Sequence, residues 1–316
     1  MAPTAARAPM RRLDNIDLRL LRVFTTLAES GGFADAQINL NLSQSTLSTH
    51  LAALERKLGG QLCERGRGGF RLTPFGQSTY AAARRLFDDI DAFHARVGRD
   101  QQRLVGRLRV GIVDGVVTNP RLGLQTAIAS YMAYAAEVFV DLELGTPLEL
   151  EQALMDGRRD VVVGPFSQKA PGVAYAPLCR EPHALYCGRG HALFDTPPSA
   201  IRHAHIEEAL FSVRRYRHLD DLYRVNHPRA SGAVMHMEAQ AMLILSGQFV
   251  GYLPRHIGDH WADRGEMRAI KPESYGFESQ HFVATRRPKG ELPLVDAFVQ
   301  ELKRQAAPAM RRPVDA

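Results

Sequence analysis

Cysteine is scarce in this 316-residue chain. Cys63, Cys179 and Cys187 are odd in number and far apart, which argues against a disulfide framework or a paired-spacing zinc site and fits a reducing compartment. Long apolar runs are missing as well. The longest, from Ala127 to Ala136, falls far short of the roughly 20 residues that cross a bilayer and ends against Glu137, so no transmembrane helix and no membrane partner are expected. Arg11-Arg12 has the form of a twin-arginine export signal, but Asp14, Asp17, Arg19 and Arg22 stand where an apolar export core belongs. Residues 1–13 therefore read as a loose tail and the chain as cytoplasmic.

Catalytic signatures are equally thin. No G-x-S-x-G elbow is present, and Asp114, Ser212 and scattered histidines make a hydrolytic triad only on paper. Gly66, Gly68 and Gly69 are followed by no G-K-S or G-K-T and close no G-x-G-x-x-G turn, so they are not a nucleotide loop. His256 and His260 could share a helical face, but Ile257-Gly258-Asp259 between them lacks the glutamate of H-E-x-x-H, and they read as packing or surface histidines. No enzymatic activity, cofactor or metal is expected. Internal repeats and low-complexity tracts are also lacking.

What is present is enough apolar residue, 45%, to give about two domains a core each. The net charge of +6 is unevenly spread: residues 1–103 carry 15 Arg/Lys against 10 Asp/Glu, a balance of +5, leaving +1 for the other 213. The basic bias sits at the N-terminal end and favours an anionic partner.

Leu20, Leu21, Phe24, Leu27 and Ala28 repeat at helical spacing after Asp17, a candidate N-cap, and Gly31-Gly32 stops the run. Ala34 to Leu40 reads as a short second helix and Asn41-Leu42 as a turn. Ser43 then caps a third helix with Leu47, Leu51, Leu54 and Leu58 on one face and Ser45, Thr49, Ala52 and Arg56 on the other. Gln61 to Leu72 reads as a hairpin carrying Arg65, Arg67 and Arg71. Thr73-Pro74 opens a long helix whose stripe is Ala83, Leu86, Phe87, Ile90, Phe93 and Val97, and Gly98 to Gly106 is a candidate hinge.

From Leu108 strands and helices alternate: Leu108–Val113, a helix from about Pro120, Val138–Leu144, a helix Thr146–Met155, and Val161–Gly164. The segments Ala184–Cys187, Glu208–Val213, Val234–Leu245 and Val250–Leu253 continue the mixture. Such alternation predicts a mostly parallel sheet in a two-lobed α/β domain reaching about residue 305, with a frayed end at Pro308 and Pro313.

Short hydroxyls and an amide on the outer face of the third helix allow close approach to a major-groove floor, with Gln44 placed to bond adenine. Taken alone, that helix is better read as an ordinary amphipathic surface helix; three helices, a short turn and a basic hairpin in this order reverse the preference. The stretch from Asp17 to Gly76 resembles the DNA-binding domain of LysR-type transcriptional regulators, through S-Q-S-T-L-S, L-E-R-K-L-G and R-L-T-P-x-G. Weaker echoes follow in L-R-V-G-I at Leu108–Ile112, Gly157 with Asp160, Y-C-G-R-G-H-A-L-F at Tyr186–Phe194 and G-Y-L-P at Gly251–Pro254.

The resemblance implies a winged helix-turn-helix over residues 14–72, a linker helix for dimerisation over 73–97, and a two-lobed, periplasmic-binding-protein-like effector domain over 106–305. It implies groove-facing roles for Gln44, Ser45, Thr46, Ser48 and Thr49, and wing positions for Arg65 and Arg71. The partners implied are double-stranded DNA, a small-molecule effector, a second copy in a homodimer or homotetramer, and RNA polymerase. The chain departs from the family pattern at Thr49, where arginine is frequent, at Gln37, where alanine is, and at Cys63, where phenylalanine is usual. Threonine cannot make a bidentate arginine fork, so an operator cannot be carried over.

Ligands of α/β sheets bind beyond the carboxyl ends of strands, which selects Asp114–Thr118, Pro165–Ser167 and Val213. Thr118, Phe166 and Ser167 would supply donors and an aromatic wall, or else merely cap helices. The function expected is an effector-modulated, sequence-specific transcriptional regulator. The alternative is a cytoplasmic small-molecule-binding protein whose N-terminal domain only dimerises.

Overall fold

The computed structural model describes residues 15–66, 69–100, 104–167, 169–216, 218–286 and 293–310. The chain divides into two compact units, residues 1–93 and 94–316. The first contains α1 (Asn15–Glu29), α2 (Phe33–Leu40), α3 (Gln44–Leu58), β1 (Cys63–Gly66), β2 (Gly69–Leu72) and most of α4 (Pro74–Asp100). Its core is the expected periodic stripe: Leu20, Leu21, Phe24 and Leu27 from α1 meet Ala36 from α2 and Leu47, Leu51 and Leu54 from α3. Leu58 sits at the edge of this stripe, 36% exposed. Asp17 does not cap α1, which begins two residues earlier, at Asn15.

The family-like motifs have local physical causes. Asn41 takes a left-handed conformation, φ +50°, closing α2 by donating its N–H back to the helix, a geometry asparagine tolerates. Ser43 caps α3, its Oγ accepting the Thr46 N–H at 3.2 Å. In L-E-R-K-L-G, Leu54 is core, Glu55 accepts the Leu62 N–H at 2.8 Å, and Gly59 ends the helix at φ +78°. In R-L-T-P-x-G, Thr73 Oγ1 accepts the Gly76 N–H at 2.9 Å and donates to the Gln61 carbonyl at 2.6 Å. A Cβ on Gly76 would lie 1.8 Å from the Leu62 carbonyl oxygen, so no larger residue fits there without rearrangement.

The second unit is built from β3 (Val105–Ile112), α5 (Leu124–Met132), β4 (Glu137–Leu144), α6 (Pro147–Met155), β5 (Val161–Gly164), β6 (Val173–Gly188), α7 (His203–Glu207), β7 (Leu210–Arg214) and α8 (His218–Arg224). It continues with β8 (Gly232–Val234), α9 (Met237–Leu245), β9 (Phe249–Pro254), α10 (Arg255–Ala262), β10 (Met267–Ala269), α11 (Pro272–Tyr275), β11 (Phe277–Arg286) and α12 (Pro293–Met310). Among the described residues the strands form one sheet in the order β4-β3-β5-β11-β6-β9-β7-β8, with β10 also on β6. Two lobes have separate cores, one around Val110, Val162 and Phe298, the other around Phe211, Val250 and Tyr252. The long antiparallel strands β6 and β11 run from one lobe into the other.

This corrects four expectations. The sheet is mixed rather than mostly parallel, because the chain changes lobe on extended antiparallel strands instead of through βαβ crossovers; among the described residues only β3 with β4 and β5, and β7 with β8 and β9, pair in parallel. The helix expected from Pro120 starts at Leu124, since Asn119 Oδ1 accepts the Arg121 N–H and holds a turn. Gly98 lies within α4 and Gly106 within β3, which narrows the interval between the two elements. Pro308 lies inside α12, which continues to Met310; Pro313 is outside the described residues.

Candidate DNA-contact surface and effector cleft

Burial of the leucine face of α3 turns its opposite face outward. Gln44, its first residue, is exposed, as are Ser45, Thr49, Ala52 and Arg56, while Thr46 and Ser48 are half-buried. At the helix start the Ser43 hydroxyl lies 2.8 Å from the hydroxyls of both Ser45 and Thr46, a ladder that fixes all three side chains. Thr49 Oγ1 donates to the Ser45 carbonyl at 2.9 Å, so its proton is spent within the helix. What Thr49 offers outward is its methyl group and acceptor lone pairs, suited to a thymine methyl or a base amino group. Arg71 is exposed on β2, opposite Glu64 in register. Arg65 pairs with Phe70 in the same hairpin; its side chain and all of Arg67 lie outside the described residues.

A second candidate site is the cavity between the two lobes. Side chains two apart on a strand share a face, and here Glu181 and His183 of β6 adjoin Ser279 and His281 of β11, with Ser279 opposite Glu181 and Phe277 opposite His183. Together with Asp114 after β3, Pro165 after β5, Arg214 at the end of β7, and Met237 of α9, they line a small enclosed cavity. All four crossover side chains are buried.

Their hydrogen bonds fix their chemical states. Arg214 is bidentate to Asp221, with Nε donating to Oδ2 at 3.0 Å and Nη2 to Oδ1, and its Nη1 lies 3.2 Å from His183 Nε2. A guanidinium can only donate, so His183 Nε2 accepts and Nδ1 carries the proton, donated to the Glu181 carbonyl at 3.1 Å. His183 is therefore neutral, and its 3.5 Å approach to the Glu181 carboxylate is not an ion pair. Glu181 Oε1 accepts from Asn119 Nδ2 at 2.7 Å and His256 Nε2 at 3.1 Å. Burial opposes ionisation of Glu181, but His281 and the His256 hydrogen bond outweigh it and hold the carboxyl below the ordinary carboxylate range.

The strand-end rule located this cleft, but the side chains selected from it are not its lining. Thr118 is exposed and reaches the site indirectly, its hydroxyl 2.7 Å from His256 Nδ1. Phe166 turns into the core of the first lobe, edge-on to Tyr175, and Ser167 is exposed beyond it. His256 and His260 do not converge: the second lies edge-on to Trp261. Glu181, His183, Ser279 and His281 went unrecognised in the sequence. Their only local signal is a pair of polar residues spaced two apart in a strand, repeated about a hundred positions later.

Residues 18–77 match the bacterial regulatory helix-turn-helix proteins of the lysR family, and residues 101–307 match the LysR substrate binding domain. The chain belongs to the LysR family. This LysR regulator is accordingly a DNA-binding transcriptional regulator with an effector-binding domain. It is 34% identical over 291 residues to the HTH-type transcriptional activator BauR of Pseudomonas aeruginosa, covering 92% of this chain and 95% of that one. Among solved structures it resembles CbnR, a LysR family transcriptional regulator, with TM-score 0.62 and 19% identity over 92% of this chain and 99% of that one. CbnR complexed with its target DNA gives TM-score 0.61 at 21% identity, again over 92% and 99%. A full-length OxyR from Pseudomonas aeruginosa gives 0.61 at 21% identity, over 94% and 95%. No described helix is long and apolar enough to cross a membrane.

Proposed function

We infer that this LysR regulator is a cytoplasmic, non-enzymatic transcriptional activator that reads its operator with Gln44, Ser45, Thr46, Ser48 and Thr49 and clamps phosphates with Arg65 and Arg71. The exposed amide and hydroxyl face of α3, opposite the buried Leu47, Leu51 and Leu54, carries the reading. Activation follows the likeness to BauR, which is named an activator, and makes RNA polymerase the protein partner on the promoter.

Two copies pair through the far part of α4. Ala83, Leu86 and Phe87 pack on the winged-helix core itself, and half-buried Ile90 with Phe93, 62% exposed, supplies the seam; the Val97 side chain lies outside the described residues. The effector enters the inter-lobe cleft, with Thr118 acting through His256, Ser167 following Pro165 at the rim and Phe166 supporting that segment from the first-lobe core. Effector and DNA affinities then shift reciprocally.

The test is selection of bound fragments from random DNA, followed by titration of variants on the selected site. Gln44→Ala is expected to lose about 1–3 kcal/mol and to relax the preference at one base pair. Arg71→Ala should weaken binding to every sequence and lower the slope of log K against log salt by about 0.9. An unchanged selected site with Gln44→Ala removes the base-reading assignment. Absence of salt-sensitive binding supports the alternative, a ligand-binding protein that only dimerises through its first unit.

A further inference from the structure

We propose that the inter-lobe cavity selects a small effector bearing a primary ammonium group, seated between Glu181 and Ser279. This rests on the cleft being the effector site and adds the chemistry of what it takes. The cavity and its immediate support hold three carboxylates, Asp114, Glu181 and Asp221, against the guanidinium of Arg214 and the imidazole of His281, whose charge lowers the Glu181 carboxyl. That guanidinium is already neutralised: Asp221 holds two of its nitrogens and His183 accepts from the third. An anionic ligand would find its obvious cation engaged and would meet the Glu181 carboxylate instead.

Glu181 is unequally satisfied. Oε1 takes two hydrogen bonds, from Asn119 and His256. Oε2 lies 3.5 Å from His183 Nε2, which is an acceptor, and 3.8 Å from His281 Nε2, beyond hydrogen-bond reach. Across the strand pair, the buried Ser279 hydroxyl on the same cavity wall has no hydrogen-bond partner among the described residues. A buried hydroxyl left unsatisfied is costly unless something else bonds it, and the neighbouring Glu181 Oε2 accepts no hydrogen bond among the described residues. An ammonium nitrogen between the two would donate to both.

A metal does not fit as well. The His183 lone pair is already occupied by Arg214, and no group of three His, Cys, Asp or Glu among the described residues is arranged to hold an ion. The free space, about 10 Å³, suits a single water, so the bound group is small and a longer ligand must part the lobes.

The test uses the full-length protein and three homologous series of short probes: primary alkylamines, alkanols and alkanoates. Binding is followed by melting temperature and calorimetry. Alkylamines are expected to bind saturably and to raise the melting temperature, while alkanols and alkanoates of equal length do not. Glu181→Gln and Ser279→Ala should each weaken the alkylamine about tenfold or more. Ser279→Ala is the cleaner variant because its hydroxyl supports no protein hydrogen bond, so an unliganded melting temperature close to wild type shows that the fold is intact. Alkanoate binding that Arg214→Gln abolishes would overturn the ammonium assignment and leave the cleft standing as the effector site. Alkylamine binding unaffected by either variant would overturn it too. Failure of all three series, with operator binding intact, would remove the cleft reading itself.

Discussion

Replacing Gly76 by alanine adds one carbon at the junction of wing and linker helix, where the backbone leaves it no room. The new Cβ would stand 1.8 Å from the Leu62 carbonyl oxygen and 2.8 Å from its carbon, so relief needs a shift of more than about 1 Å to reach ordinary contact distance. Leu62 cannot yield freely. Its side chain is fully buried, Glu55 accepts its N–H at 2.8 Å, and its carbonyl accepts the Thr73 N–H at 3.0 Å. Movement from the α4 side instead breaks the Thr73 cap. Overpacking costs about 1–3 kcal/mol and loss of a cap about 0.5–2, so the variant should lose roughly 2–5 kcal/mol of local stability. A domain stable by about 5–15 kcal/mol then keeps its fold in most cases but opens this junction far more often. Hydrogen-exchange mass spectrometry on the full-length protein should show faster exchange from β1 through the first turn of α4, with weaker operator binding. Gln77→Ala, exposed one residue on, is the control. Wild-type exchange in Gly76→Ala would refute the close approach and with it the steric account of R-L-T-P-x-G.

Asp221→Ala strands a buried guanidinium, since Arg214 is 2% exposed, and should cost about 3–5 kcal/mol in denaturant unfolding; a loss under about 1 would show that the charge is solvated. Glu181 is held well below its ordinary 4.5 in the folded chain, so it contributes stability above pH 4.5 that is lost as pH falls through the lowered value. Wild type should therefore lose stability more steeply than Glu181→Gln across that window, and parallel curves would contradict the depressed value. Burial pushes the Cys179 and Cys187 thiols up to about 12, and Cys63 is buried as well, so iodoacetamide should modify all three only after unfolding; native labelling at the rate of a free thiol would refute this.

The first unit was legible because everything that makes it is local. A cap, a leucine every three or four residues and a left-handed Asn41 or Gly59 all act within one or two turns, so Ser43, Thr73 and the buried face of α3 can be read in order along the chain. The second unit was legible only where strand and helix follow each other closely, as in β5, whose bounds the apolar run Val161–Gly164 marks, and in α6, where Thr146 and Glu149 form a capping box. β6 defeated the pattern: only Ala184–Cys187 stands out from its sixteen residues, since Pro177 and Pro182 lack ladder donors and the polar Glu181 and His183 interrupt the apolar run. Only the fold turns these side chains inward, because β11 pairs across them and Asn119 and His256 arrive from positions 62 and 75 residues away to satisfy the carboxylate. Polar residues spaced two apart within apolar sequence are the trace such a site leaves. The trace becomes specific only when a second strand repeats it, as Ser279 and His281 do. A buried carboxylate demands donors from the whole fold, so the chemistry of the cleft is encoded between distant segments, whereas the DNA-reading face is encoded within one helix.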